Sequence, residues 1–165
     1  MMTPTAAAGW QNAHVRVHVE ERVAVAARPE ALWRALTDWE GQSGWMVATT
    51  VTADRGGHRV GERLTAVTRV AGVGFSDRME VVRWDPPRRV DVAHLGRVVR
   101  GTGAFAVEPA PGGAWCVWVE DLALPLGRLG RVGFALLRPL FRLMLHRSLR
   151  RLARRVEAGP ARATG

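Results

Sequence analysis

The stretch covering residues 126–156 constrains the fold most, because it combines fourteen large apolar side chains with nine arginines. The apolar residues recur every three or four positions, which is the spacing of an α-helix. A helix with this much apolar surface requires a partner to cover it. The stretch therefore predicts a long C-terminal helix that packs against the rest of the domain.

The apolar positions of this helix form two stripes that do not line up. The first stripe runs from Leu129 to Met144, and the second runs from Leu145 to Val156, displaced by more than a third of a turn at 100° per residue. Pro139 removes one helical hydrogen bond and crowds the preceding turn. The sequence predicts a bend or break there, with a first half that roofs a cavity and a second half that clamps a sheet.

The preceding chain is rich in β-type patterns separated by turn residues. Residues 14–25 alternate apolar and polar side chains, Pro29 begins a helix of about ten residues, and residues 41–44 contain another helical turn. The six runs that follow are residues 47–54, 62–70, 75–84, 89–95, 98–108 and 114–124. Their short connections require antiparallel neighbours, so they predict a meander.

These elements predict an α+β domain in which a curved seven-stranded antiparallel sheet wraps around the long C-terminal helix, with two short helices after the first strand. A chain of 165 residues fits one domain. We assign residues 14–157 to it, and residues 1–13 and 158–165 to flexible ends. Gly101 and Gly103, inside a predicted strand, are sites where the sheet can bend.

The positive charge of the chain is concentrated in its last quarter. Residues 128–165 carry ten arginines and one acid, Glu157, whereas residues 1–127 carry fourteen charges of each sign. Such a cluster attracts anionic membranes, nucleic acids or acidic partners, or is simply a solvated helix face. No aromatic residue follows Phe141 to stack on bases, so a nucleic-acid partner is disfavoured and peripheral contact with an anionic membrane stays open.

The remaining composition bears on location. The single cysteine, Cys116, lies in an apolar run and cannot form an intramolecular disulfide. Residues 1–12 lack the charged and apolar regions of a signal peptide, and residues 134–145 are too short and too often interrupted to span a membrane. We expect a cytoplasmic protein.

Three stretches resemble the helix-grip fold of the START-like or Bet v 1-like superfamily, also called SRPBCC proteins. They are V-A-V-A-A-R-P-E-A-L-W-R-A-L-T-D-W at residues 23–39, D-P-P-R-R-V at residues 85–90 and G-A-F-A-V-E-P-A-P-G-G at residues 103–113. The superfamily includes polyketide cyclases, lipid-transfer domains and many uncharacterised bacterial proteins. The resemblance implies an apolar cavity between sheet and helix that takes a lipid, a polyketide or an isoprenoid.

Strand alternation places candidate residues on the cavity face. Cys116, Trp118, Glu120 and Leu122 share one side of the last strand, and His94 and Asp77 share sides with apolar neighbours on theirs. The predicted ligand-binding residues are Trp45, Met79, His94, Phe105, Trp118, Glu120, Phe134, Leu137, Phe141 and Met144. Four tryptophans, Trp45, Trp84, Trp115 and Trp118, are candidate walls for a flat ligand, with ordinary core packing as the alternative.

An inward His94 beside Glu120 or Asp77 would form a general acid–base pair with pKa values shifted by burial. These three residues are the candidates for catalysis. The alternative is that Glu120 or Asp121 forms an ion pair with a nearby arginine.

A metal site is not predicted, because His14 and His18 would lie about 13 Å apart along a strand. No phosphate-binding loop or nucleophile motif is present, so no cofactor is expected.

Three functions are consistent with these observations. The leading one is a carrier or sensor that binds a hydrophobic small molecule without catalysis. The second is an enzyme of the cyclase/dehydratase type that acts on a polyketide-like substrate through the acid–base residues. The third is a module that binds an anionic membrane or nucleic acid through the arginine-rich helix.

Overall fold

Seven strands and two α-helices follow one another in the predicted order in the computed structural model, which describes residues 15–70, 72–96, 99–124 and 127–159. Residues 1–13 and most of residues 158–165, predicted to be flexible, lie outside this part of the chain. The strands are β1 (Val15–Val25), β2 (Thr49–Ala53), β3 (Arg63–Val70), β4 (Val73–Asp85), β5 (Arg89–Leu95), β6 (Arg100–Ala110) and β7 (Gly113–Leu124). The helices are α1 (Pro29–Thr37) and α2 (Gly127–Glu157), with short 3₁₀ helices at Glu40–Gly44 and Asp54–Gly56.

All seven strands form one antiparallel sheet in the order β1-β7-β6-β5-β4-β3-β2. Strands β2 to β7 are a meander, because each pairs with the next strand along the chain. Strand β1 closes the arrangement by pairing with β7, where Val19 lies opposite Glu120. The predicted α+β helix-grip architecture is confirmed.

Gly101 in β6 has a positive φ of 127°, and a Cβ there would overlap the carbonyl oxygen of Asp121 on β7. The predicted bend site is therefore a place where only glycine fits.

The second half of α2 packs into the concave face of the sheet as predicted. Leu145, Leu149 and Leu152 are at most 1% exposed, and Val156 is partly buried against the same core. Arg150 and Arg154 are exposed. Glu21 on β1 further ties the helix to the sheet, since its carboxylate accepts a 2.6 Å hydrogen bond from Arg142 and lies 3.5 Å from His146.

Of the predicted bend or break at Pro139, the break is wrong, because α2 runs without interruption from Gly127 to Glu157. A bend at this position stays a prediction. Pro139 and Ala135 are both exposed, so water can reach the carbonyl that the proline leaves without a helical partner. A continuous helix keeps one register, and the buried stripe of the second half continues back only to Phe141 and Phe134. Most of the first stripe consequently faces away from the sheet, whereas Met144 at its end is half-buried.

Candidate active site

A cavity of about 170 Å³ lies between the concave face of the sheet and α2. Its walls are mostly apolar and come from every strand between β2 and β7, from the segment around α1 and from the middle of α2. Of the predicted ligand-binding residues, the structure brings seven to this wall: Met79, His94, Phe105, Trp118, Glu120, Phe141 and Met144. Their role in binding stays a prediction.

The ionisable residues of the wall come from three strands, on which alternation turns them inward. Asp77 lies on β4, His94 on β5 and Glu120 on β7. Strands β5 and β7 are not neighbours, since β6 lies between them. His94 reaches Glu120 across Gly103, the β6 residue that pairs with Glu120. A Cβ at Gly103 would lie 3.2 Å from His94 Nε2 and from both carboxylate oxygens of Glu120, so the absence of a side chain leaves room for the contact.

The three side chains form a continuous hydrogen-bonded cluster, which we call the His94 cluster: Asp77, His94 and Glu120, with Trp118 at its end. His94 Nδ1 lies 2.6 Å from Asp77 Oδ2, and His94 Nε2 lies 3.1 Å from Glu120 Oε2. Trp118 Nε1 donates a 2.7 Å hydrogen bond to Glu120 Oε1. The side chains of His94, Asp77 and Glu120 are only 6%, 9% and 10% exposed. Both ring nitrogens of His94 thus face carboxylate oxygens.

This arrangement selects the doubly protonated form of His94, because a carboxylate can only accept a hydrogen bond. Burial alone would lower the pKa of His94, but the hydrogen bonds and charges of Asp77 and Glu120 outweigh it and raise the pKa from 6.5 to about 9. At neutral pH the cluster therefore contains one imidazolium between two carboxylates, with one net negative charge inside an apolar cavity.

Two acceptor atoms on the cavity wall have no hydrogen-bond partner among the described residues. They are Asp77 Oδ1 and Gln42 Oε1, and Gln42 is fully buried. The Gln42 amide orientation is fixed, since its Nε2 donates a 2.7 Å hydrogen bond to the carbonyl of Leu36. A buried acceptor without a partner is costly, so a small side-chain rotation that brings either oxygen to a hydrogen-bond donor in the cavity would be favourable.

Among the described residues, neither Glu120 nor Asp121 pairs with an arginine, in contrast to the alternative. The partners of Glu120 are His94 and Trp118, and Asp121 pairs with His18 on the opposite face of the sheet at 2.7 Å. Alternation along β7 explains the difference, since neighbouring residues point to opposite faces.

Three predicted ligand-binding residues lie elsewhere. Leu137 is 60% exposed on the outer side of α2, and Phe134 packs against Phe141 without reaching the cavity wall. The exposure of Leu137 follows from the unbroken helix register, whereas Phe134 lies on the buried side of the helix beyond the end of the cavity. Trp45 is 1% exposed and stacks edge-on against Phe105 and Trp118, so it supports wall residues from behind.

The other two candidate tryptophans pack away from the cavity. Trp84 packs against Trp33, with ring centroids 5.2 Å apart, and Trp115 lies under the guanidinium of Arg22. Neither is part of the cavity wall. Of the four candidate tryptophans, only Trp118 lines the cavity.

Several wall residues were not predicted. Val51 on β2 and Leu64, Ala66 and Thr68 on β3 line the cavity, and extending the alternation argument to these strands would have found them. Gln42 lies in a 3₁₀ helix and carried no sequence signal that distinguished it from a solvated loop residue.

Neither metal binding nor thiol chemistry finds support among the described residues. Within the described residues, no group of three or more histidine, cysteine, aspartate or glutamate side chains has the arrangement of a metal site. Cys116 is fully buried in the core, and burial raises the pKa of its thiol to about 12. The thiol is therefore protonated and unsuited to nucleophilic chemistry.

Residues 16–157 match the family described as polyketide cyclase / dehydrase and lipid transport. The chain belongs to this family. The superfamily resemblance found in the sequence is thereby confirmed, and the family description covers both hydrophobic ligand binding and polyketide cyclisation. A search of curated proteins found no significant match.

Solved structures with this fold include proteins of different description. The protein TTHA0849 from Thermus thermophilus is 21% identical, with a TM-score of 0.71 over 89% of this chain and 100% of that one. The Zhui aromatase/cyclase from Streptomyces sp. R1128 is 20% identical, with a TM-score of 0.70 over 92% and 99%. The di-domain aromatase/cyclase StfQ of steffimycin biosynthesis is 16% identical, with a TM-score of 0.69 over 87% of this chain and 51% of that one. These likenesses show the fold.

Proposed function

We propose that the protein binds a hydrophobic small molecule of lipid, polyketide or isoprenoid type in the cavity, as a carrier or sensor. The observation that supports this most directly is a largely apolar cavity that contains a single buried ionic cluster. Apolar walls supply affinity for a greasy molecule, and a few fixed polar groups orient it.

The polar groups narrow the chemistry of the ligand. The His94 cluster carries a net negative charge, so a ligand with a carboxylate end would meet repulsion in a medium of low dielectric. Asp77 Oδ1 and Gln42 Oε1 are buried acceptors without a partner among the described residues, so a hydroxyl group of a ligand would satisfy either of them. The ligand that fits is neutral and mostly apolar and carries hydroxyl groups.

Native mass spectrometry of the purified protein tests this function by looking for a retained small molecule. The cavity can then be titrated with the neutral fluorescent probe N-phenyl-1-naphthylamine, in competition with decanol or decanoate. We expect decanol to displace the probe at a concentration roughly tenfold lower than decanoate, which corresponds to about 1.4 kcal/mol of charge repulsion.

A pair of variants locates the binding. Ala66→Phe fills space at the cavity wall and should abolish probe binding, whereas Ala93→Phe lies between inward-facing Val92 and His94 on the outer face of β5 and should leave it intact. A protein that purifies empty and binds neither the probe nor decanol, or two variants that behave alike, would overturn the proposal.

The second candidate is a cyclase/dehydratase activity on a polyketide-like substrate, and the geometry of the His94 cluster favours it specifically. The family description and the likeness to aromatase/cyclases support the same candidate. In an aldol-type cyclisation, the carboxylate of Glu120 would take a proton from an activated CH₂, and the His94 imidazolium would give a proton to the carbonyl oxygen under attack. Transfer of the proton from Glu120 to His94 across their 3.1 Å contact would then reset the pair. In dehydration, Glu120 would take a second proton from the carbon next to the new alcohol, and His94 would protonate the hydroxyl group, which leaves as water.

Turnover of a poly-β-keto thioester analogue tests this candidate. His94→Ala and Glu120→Ala should each lower the rate by a factor of about 10² or more. Glu108→Gln, an exposed carboxylate on β6, serves as the matched control. The rate should fall as the pH rises through about 9, where His94 loses its proton. Unchanged turnover in both alanine variants would eliminate this mechanism.

A further inference from the structure

The outer side of the first half of α2 is an exposed apolar face. Leu129, Val132, Leu136, Leu140 and Leu143 fall within about 80° of one another on the helix, and each is between 48% and 78% exposed. They lie opposite the side that continues the buried stripe of Leu145 and Leu152. A contiguous exposed patch of this kind marks an interaction surface.

The same outer side becomes cationic in the second half of the helix. Four exposed arginines lie on the same side of the helix as the leucines: Arg147, Arg150, Arg151 and Arg154. The first acidic residue of the helix is Glu157, at its end. One side of one helix therefore presents leucines followed by arginines.

Exposed apolar residues from the sheet stand at the end of the domain where α2 begins. Val70 and Val73, at the β3–β4 turn, are 58% and 78% exposed, and Leu95 at the end of β5 is 47% exposed. Phe75 is 52% exposed and also lines the cavity, so the cavity reaches the surface at this end. The cavity opening at Phe75 and the start of α2 thus lie at the same end of the sheet, since β7 ends at Leu124 just before α2 begins.

We propose that this surface docks on an anionic phospholipid bilayer, with the leucines and the β3–β4 turn inserted at the boundary of headgroups and acyl chains and the arginines on lipid phosphates. An amphipathic helix with arginine and leucine on one exposed side binds such surfaces through apolar burial and attraction to anionic lipid together. The proposed contact is peripheral, because the other side of the same helix packs against the sheet. No helix among the described residues is long and apolar enough to cross a membrane.

Charge complementarity favours a bilayer over the other occupants. A second copy of the chain would bury the leucines, but its own helix would bring more arginines and no acid before Glu157. A nucleic acid would satisfy the arginines and leave the leucines against a polar backbone, with no exposed aromatic side chain on this side of the helix for stacking. Of these three occupants, an anionic lipid surface is the one that satisfies both the leucines and the arginines.

Co-sedimentation with vesicles tests the proposal and requires no cavity ligand, so its failure would leave the proposed ligand binding untouched. We expect the protein to bind vesicles of phosphatidylcholine with 30% phosphatidylglycerol, and to bind pure phosphatidylcholine roughly tenfold or more weakly. Binding should weaken in 0.5 M salt without disappearing, because the apolar part of the contact is not screened.

Exposed positions allow variants that should leave folding unchanged. Leu136→Ser combined with Leu140→Ser should lower vesicle binding by about tenfold or more, and Arg150→Gln combined with Arg154→Gln should do the same at low salt. Val60→Ser is the matched control, since Val60 is 64% exposed in the connection between β2 and β3. Circular dichroism and unfolding of each variant establish that the fold is retained.

Four outcomes would overturn the proposal. They are the absence of binding to anionic vesicles, binding that the leucine variant does not weaken, a leucine-dependent dimer in sedimentation without vesicle binding, and binding to RNA without vesicle binding.

Discussion

Replacing His94 with glutamine should destabilise the protein strongly at neutral pH. The imidazolium lies between Asp77 and Glu120, whose side chains are at most 10% exposed. Glutamine keeps the volume and one donor group, but it leaves two carboxylates buried near each other without a cation. Removing one partner from a buried ionic group costs about 3–5 kcal/mol. In a domain of this size, that corresponds to a fall in Tm of roughly 6–20 °C.

The raised pKa of His94 determines how the loss of stability in this variant changes with pH. The folded pKa of His94, about 9, lies above its ordinary value of 6.5, so the native state binds the proton more tightly than the unfolded chain. The stabilisation is fully present below pH 6.5 and is lost as the pH rises through about 9. The difference in stability between the native protein and His94→Gln should therefore shrink across this interval.

Urea unfolding followed by tryptophan fluorescence measures both quantities at about pH 6, 7.5 and 9.5, which bracket the interval. His18→Gln is the matched control, because His18 also bonds a carboxylate, that of Asp121, but is 59% exposed. It should cost less than about 1 kcal/mol. Adding Asp77→Asn and Glu120→Gln to His94→Gln should recover much of the lost stability. Equal effects of His94→Gln and His18→Gln, or a pH-independent difference, would refute the buried imidazolium.

Three other predictions concern single positions. Gly103→Ala should push His94 and Glu120 apart, because the new Cβ would lie 3.2 Å from both side chains. The pKa of His94, measured by NMR titration, should then move from about 9 toward 6.5. An unchanged pKa would contradict this prediction. Leu149 is 0% exposed, so Leu149→Ala should lower the free energy of unfolding by about 2–5 kcal/mol in urea unfolding. Leu136 is 78% exposed, so Leu136→Ala should lower it by less than about 0.5 kcal/mol. Similar losses in the two variants would be inconsistent with the orientation of the helix. Cys116 should react with a thiol reagent such as DTNB only after unfolding, and rapid labelling of the native protein would contradict its burial.

Periodicity in the sequence was sufficient to predict the order of the strands and helices. Residues 89–95 were predicted as a strand, and β5 has those bounds. Alternation alone also turned Asp77, His94 and Glu120 toward the cavity, because each shares a face with apolar neighbours. These are local properties of single strands, and they do not depend on how the strands are arranged.

The assembled cluster required information that single strands do not contain. His94 and Glu120 meet only because β6 lies between their strands and presents Gly103 at the crossing point. In the sequence, Gly103 indicated only a bend. The orientation of α2 was missed for a related reason, since two competing apolar stripes cannot be ranked until the partner surface is known. The uninterrupted helix buries the Leu149 stripe and leaves the Leu136 stripe outside.

The pairing of β1 with β7 and α2 also determines when the domain can be completed during synthesis. Glu21 and its partner Arg142 are 121 residues apart in the chain. Val19 can pair with Glu120 only after the last strand, β7, has been synthesised. The meander from β2 to β7 can form progressively, because each strand pairs with the one made just before it. The first strand leaves the ribosome with no partner and stays an unpaired, valine-rich edge until the last strand and helix emerge. Contacts of such long range slow folding and expose nascent chains to aggregation, so chaperone dependence in this protein should centre on its first strand.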